Sequence, residues 1–265
     1  MTSNRESYAR QSPVTDPGER ASWYDGLPTD LAALTAVVRN LVVHRDRVPP
    51  GSVDGARLAR EPRVRDVATM VATLRDLDAR PPTEQRAPQD RIVGHCRTSS
   101  VLLTSFLRHQ GVPARPRCGF SVYYAGGREF YGDHWVTEYG HRPSGGWRLA
   151  DAELDEPTCR EHGIGFDPLD VPRDQLLLAG RAWQAGRIDS GRWRWYGSHP
   201  GDTGRAYVVG QLLRDVACLR RDEPGAFDSW APDPLPPYLE DLDLLAARTL
   251  QPDPQLPGLD EALLR

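Results

Sequence analysis

The stretch GHCRTSSVLLTSFLRHQGVPAR, residues 94–115, places a cysteine where the chain passes from polar to amphipathic. Cys96 follows Gly94 and His95 and precedes Arg97, Thr98 and Ser99, whereas a packing cysteine normally sits inside an apolar run. From Ser99 to Gln110 the apolar set Val101, Leu102, Leu103, Phe106 and Leu107 recurs at helical spacing. Gly111 supplies a left-handed stop before Val112 and Pro113. Cys96 therefore falls at the start of a buried helix, where unpaired N–H groups and the positive end of the dipole favour a thiolate and offer donors to an oxyanion.

Downstream, RCGFSVYY (117–124), DHWVTEYG (133–140) and WRLAD (147–151) read as strands, separated by the turns AGGRE (125–129) and RPSGG (142–146). Connections this short require antiparallel pairing. Period two sends His134, Val136 and Glu138 to one face of their strand and Trp135, Thr137 and Tyr139 to the other. Asp151 ends the next strand, and the hairpin can bring it back beside His134. The chain order Cys96, His134, Asp151 supplies a nucleophile, a base and a residue to orient that base, the requirements of acyl transfer.

These residues also carry a resemblance. CRTSSVLLTSFLRHQGVPAR resembles the cysteine-helix signature of the transglutaminase-like superfamily, and DHWVTEYGHRPSGGWRLADAELD is similar to its histidine and aspartate blocks. The likeness spans about residues 90–156. Trp135 directly follows the histidine, where most of the superfamily has its aromatic one residue later, and DAELD lacks the usual proline after the aspartate. The resemblance implies an α+β fold with a transglutaminase- or papain-like core: a cysteine helix packed on a small antiparallel sheet, with extra flanking helices. It also implies Cys96 as nucleophile, His134 as base and Asp151 as orienter.

Outside this core, LPTDLAALTAVVRNLVVHR and PRVRDVATMVATLRDLDAR are amphipathic helices, the first capped by Thr29 or Asp30. VPRDQLLLAGRAWQAG, GRAYVVGQLLRDVACLRR and PPYLEDLDLLAARTL read as helices too, with Trp193, Trp195 and Tyr196 between the first two. The organisation expected is a flexible tail over 1–20, a domain over 21–230 with its helical extension at about 168–230, and a Pro-rich acidic segment with a helix over 231–265.

Composition narrows function further. All 33 basic residues of this 265-residue chain are arginine, which excludes a P-loop lysine and a lysine Schiff base. A net charge of −4 argues against nonspecific nucleic-acid binding, and no apolar run reaches membrane-spanning length. The N-terminus lacks an apolar core behind its charges, so a secretory signal is not expected. Cys96, Cys118, Cys159 and Cys218 lie far apart, so reduced thiols in a cytoplasmic setting are expected, with no metal site and no cofactor. Cys118 and Cys218 read as structural, His95 as an exposed loop residue, Arg97, Arg115 and Arg117 as solvated charges, and Tyr123, Tyr124 and Trp135 as core or groove wall.

The function expected is acyl transfer through a cysteinyl thioester, forming or exchanging an amide on a small-molecule, peptide or carrier-protein-bound acyl group, without nucleic-acid or membrane partners. The same residues would also serve a peptidase or amidase, an acid–base lyase or isomerase that never acylates, or a binding protein that keeps the fold without its chemistry.

Overall fold

A computed structural model of the protein describes residues 4–141, 145–228, 239–254 and 256. After a short α1 (Asn4–Ser7), the first half of the chain is helical: α2 (Leu31–Leu41), α3 (Gly55–Arg60) and α4 (Val67–Leu77). Asp30 caps α2 by accepting from the N–H groups of Ala32 and Ala33, and Asp66 caps α4 through Thr69. A two-stranded parallel pair, β1 (Val42–His44) with β2 (Ile92–Gly94), delivers the chain to α5 (Cys96–His109). Neither three-residue strand is expected from the sequence, since runs so short carry no period to read.

The main sheet has the order β6-β3-β4-β7-β8, with β8 (Asp202–Thr203) at its edge and β5 also on β4. Its centre is the antiparallel pair β3 (Ala114–Ser121), which lies earlier in the chain than the expected 117–124, and β4 (Tyr131–Gly140), which starts before the expected 133, joined by a turn in which Gly126 and Gly127 adopt positive φ. On the far edge of β4, β5 (Trp147–Ala150) pairs with Thr137 to Gly140, while β7 (Tyr196–His199) pairs in parallel with Tyr131 and Gly132. Among the described residues, that leaves β4 from Asp133 to Val136 without a strand neighbour on this side. The start of α5 docks at this gap: Ser100 Oγ donates to the Val136 carbonyl at 2.7 Å, and Thr137 Oγ1 donates to the Ser100 carbonyl at 3.0 Å.

One core forms where α2, α4 and α5 meet, from Val38, Leu41, Met70, Leu74, Leu102 and Phe106 among others. Burying each such aliphatic chain contributes about 1.5–3 kcal/mol. A second core joins Phe120 and Tyr196 to α7 (Ala179–Ile188), α8 (Arg205–Leu219) and α9 (Leu239–Thr249). The helix expected across 171–186 begins instead as β6 (Leu176–Leu178), which pairs with Gly119 to Ser121 before α7 starts. Three consecutive leucines fit a buried strand as well as a helix, and the open edge of β3 decides between them.

Part of the segment expected as a tail, from Tyr8 to Thr15, is tied into the fold. Tyr8 is buried and its hydroxyl donates to the Leu219 carbonyl at 2.6 Å. Ser12 Oγ donates to Glu223, whose other oxygen accepts from Arg108 at 2.9 Å. Sequence polarity misleads here because these groups pair with residues some two hundred positions away. Residues 1–3 of the expected tail, 142–144 of the expected RPSGG turn and 229–230 lie outside the described residues, as do 231–238, 255 and 257–265 of the expected C-terminal segment, whose helix is α9. Among the described residues no helix is long and apolar enough to cross a membrane.

Candidate active site

Gly94 ends β2, and a Cβ there would lie 2.7 Å from the Thr98 Cβ, so only glycine lets the chain enter α5 this tightly. His95 is buried, not an exposed loop residue: its Nε2–H donates to the Pro62 carbonyl at 3.0 Å. Burial, with Arg97 nearby, pushes its pKa down to about 4, so it is neutral at physiological pH. Cys96 is the first residue of the helix and is partly exposed.

His134 is buried and lines the same cleft as Cys96, near enough for each to act on the other's charge. The His134 Nε2–H donates to Asp151 Oδ2 at 2.8 Å, which leaves Nδ1 as the ring nitrogen for the sulfur. Asp151 follows β5, and its N–H is fixed to the Pro168 carbonyl at 2.9 Å. The structure therefore brings together the three residues singled out from the sequence.

Asp151 is held by more than the histidine. Tyr123 donates its hydroxyl to the same Oδ2 at 2.7 Å, and the Glu153 N–H donates to Oδ1 at 2.9 Å. The rings of Tyr123 and Tyr124 stand edge-on to His134, at 5.8 and 5.5 Å between centroids. Nothing local in RCGFSVYY marks Tyr123 as a partner of Asp151, because the contact depends on how β3 and β5 flank β4.

Burial alone would lower the imidazole pKa, but the Asp151 charge and hydrogen bond override it and hold His134 well above its ordinary value. Asp151 stays below its ordinary value for the reciprocal reason, against the cost of its own burial. The thiol goes the other way from the expectation: burial pushes the Cys96 pKa up, with His134 opposing. The position at the helix start is thus insufficient by itself, and ionisation of the sulfur depends on the imidazole taking its proton.

The cluster opens on a cleft of about 1110 Å³. Cys96, His134, Trp135 and Glu153 line it together with Arg39, Arg45 and Arg47 and with Ser198, Asp202 and Tyr207. Trp135 is itself buried against Cys118 and Cys218, both of which are buried and structural as expected.

Arg97, Arg115 and Arg117 are not solvated charges. Arg97 donates to the carbonyls of Pro224, Arg65 and Glu223, while Arg115 and Arg117 both bind Glu138, at 2.7 and 2.6 Å. Arginine packs its stem and spends its donors on carbonyls and carboxylates, so a polar sequence position gives no warning of burial.

Fold and site together define an α+β protein in which a cysteine at a helix start, a histidine on the central strand and an aspartate after the neighbouring strand meet at a cleft. No family model matches the chain, and no curated protein matches it. Among solved structures it is similar to one described as "a Putative Cysteine Protease from Cytophaga hutchinsonii", at 14% identity and a TM-score of 0.38. The likeness covers 67% of this chain and 46% of that one, so the chain matches less than half the length of that protein. The chemistry must be read from the site's own residues.

Proposed function

We propose that the protein carries out acyl transfer through a thioester on Cys96. The observation that supports this best is the hydrogen bond from His134 Nε2–H to Asp151 Oδ2 at 2.8 Å, with His134 and Cys96 lining the same cleft. His134 Nδ1 accepts the thiol proton, and Asp151 stabilises the imidazolium that results. The thiolate attacks the carbonyl carbon of an amide or thioester donor, and N–H groups of the first turn of α5 would donate to the developing oxyanion. His134 then returns the proton to the leaving amine or thiol, and the acyl group remains on sulfur.

The acceptor that releases it is taken to be an amine, giving amide formation or exchange on a small-molecule, peptide or carrier-protein-bound acyl group. Hydrolysis by the same three residues is the second reading, favoured by the partial exposure of Cys96, which admits water. Intact-mass analysis after mixing with an activated acetyl ester such as p-nitrophenyl acetate tests the reading. One acetyl adduct is expected on the wild type and none on Cys96→Ala; absence of the wild-type adduct ends the case for covalent catalysis.

A further inference from the structure

Glu153 occupies this site without any task in the steps above. It sits two residues beyond Asp151, lines the same cleft as Cys96 and His134, and accepts a hydrogen bond from Ser99 in the first turn of the cysteine helix at 3.3 Å. Among the described residues it makes no ion pair, although Arg47 lies in the same cleft wall with one guanidinium nitrogen donating to Thr158. Other charged and titratable groups act on it from each side: Cys96 from α5, His134 from β4, Asp151 from its own turn, Tyr124 from the segment after β3 and Arg47 from the turn after β1.

An amine acceptor sets a proton problem that three residues do not solve. A primary amine arrives as an ammonium ion at neutral pH, yet the nitrogen of the amide product keeps a single hydrogen, so two protons must leave it. His134 can take one. At the acyl-enzyme stage the sulfur is a neutral thioester and His134 has given its proton to the leaving group, so neither the thiolate nor the imidazolium charge remains. Asp151 is buried and saturated with hydrogen bonds. Glu153 is then a carboxyl group of the triad turn that faces the cleft with Cys96 and His134, whereas Asp155, on the same cleft, is engaged in accepting from the Thr158 N–H at the start of the next helix.

We propose, on the basis of the acyl-transfer reading, that Glu153 recognises a cationic primary-amine acceptor and removes the first of its two protons. The ammonium binds the Glu153 carboxylate and passes it a proton. The neutral nitrogen attacks the thioester carbonyl, the C–N bond forms and the C–S bond breaks with its electron pair on sulfur. The second proton moves from nitrogen to His134 Nδ1, which restores the thiolate beside an imidazolium, and Glu153 releases its proton to solvent. Burial and the Asp151 charge, opposed by charge on His134 and Arg47, push the Glu153 pKa up to about 7, and with His134 neutral the carboxyl holds a proton more readily still, as the acceptor of the ammonium proton must.

The test partitions the acetyl-enzyme between two nucleophiles at neutral pH: n-butylamine, which arrives charged, and hydroxylamine, which arrives uncharged. Glu153→Gln is expected to lower the ratio of butylamine capture to hydroxylamine capture on the order of 100-fold. Glu153→Asp, which keeps a carboxylate, should recover much of that ratio and provides the comparison should the glutamine variant fold poorly. A general loosening of the site would slow both nucleophiles and leave the ratio near that of the wild type, which would overturn the proposal while acetylation of Cys96 still stood. If the wild type shows no acetyl adduct, the acyl-transfer reading fails and the role of Glu153 falls with it.

Discussion

At the scale of single residues, the site depends on what surrounds each ionisable group. Burial pushes the Cys96 thiol up and His134 opposes that, so His134→Ala should move the pH midpoint of iodoacetamide alkylation upward and slow labelling at neutral pH at least about tenfold, one pKa unit being a factor of ten. An unchanged profile would mean that the imidazole does not govern the sulfur. Tyr123 is the sharper test of the carboxylate. Its hydroxyl helps to hold the Asp151 pKa down, and Asp151 contributes stability above its unfolded pKa that is lost as pH falls through the lower folded value. Tyr123→Phe should therefore raise the folded pKa of Asp151 and shift the acid limb of the acylation rate to higher pH. The loss should be about 1.5–3 kcal/mol for a hydrogen bond to a charged group, read from unfolding at neutral pH.

At the scale of elements, the sheet and its helices are locked by buried arginine clusters rather than by apolar contact alone. Glu138 on β4 accepts from Arg115 and Arg117 on β3 and from Arg173, and Arg117 also binds Asp215 on α8, at 2.8 Å from its Nε. Replacing Glu138 leaves three guanidinium groups short of an anion, two of them buried. Glu138→Gln should cost about 3–5 kcal/mol in denaturant unfolding, whereas a surface ion pair would cost under about 1 kcal/mol. A result in the lower range would mean that Asp215 alone satisfies the cluster. The sequence offers period two along β4 and the turn after it, and from these the pairing of β3, β4 and β5 is legible. It offers no sign that residues 133–136 lack a strand neighbour on one side, because that gap arises only when β5 and β7, more than forty residues apart, settle on the same edge of β4.

For the whole molecule, the long-range links decide where the chain's ends go. Tyr8, Ser12 and Thr15 meet Leu219, Glu223 and Arg108, joining the opening residues to α5 and to the segment after α8. Deleting residues 1–20 should destabilise the protein on the order of 3–5 kcal/mol, through the lost burial of Tyr8 and the lost hydrogen bonds of Ser12 and Thr15 to the buried Glu223–Arg108 pair, and thermal unfolding would show it as a lower Tm. A Tm equal to that of the full chain would mean these contacts contribute nothing net. What the sequence determined by itself was local: helical spacing after Cys96, alternation along β4, a stop at Gly111, and thus the order thiol, imidazole, carboxylate. Only the tertiary structure decided that Tyr123 and Glu153 join that set, that His95 and the arginines are buried, and that the thiol is pushed up. Periodicity is a property of neighbouring residues, whereas burial and the fields that shift a pKa come from groups brought together across the chain.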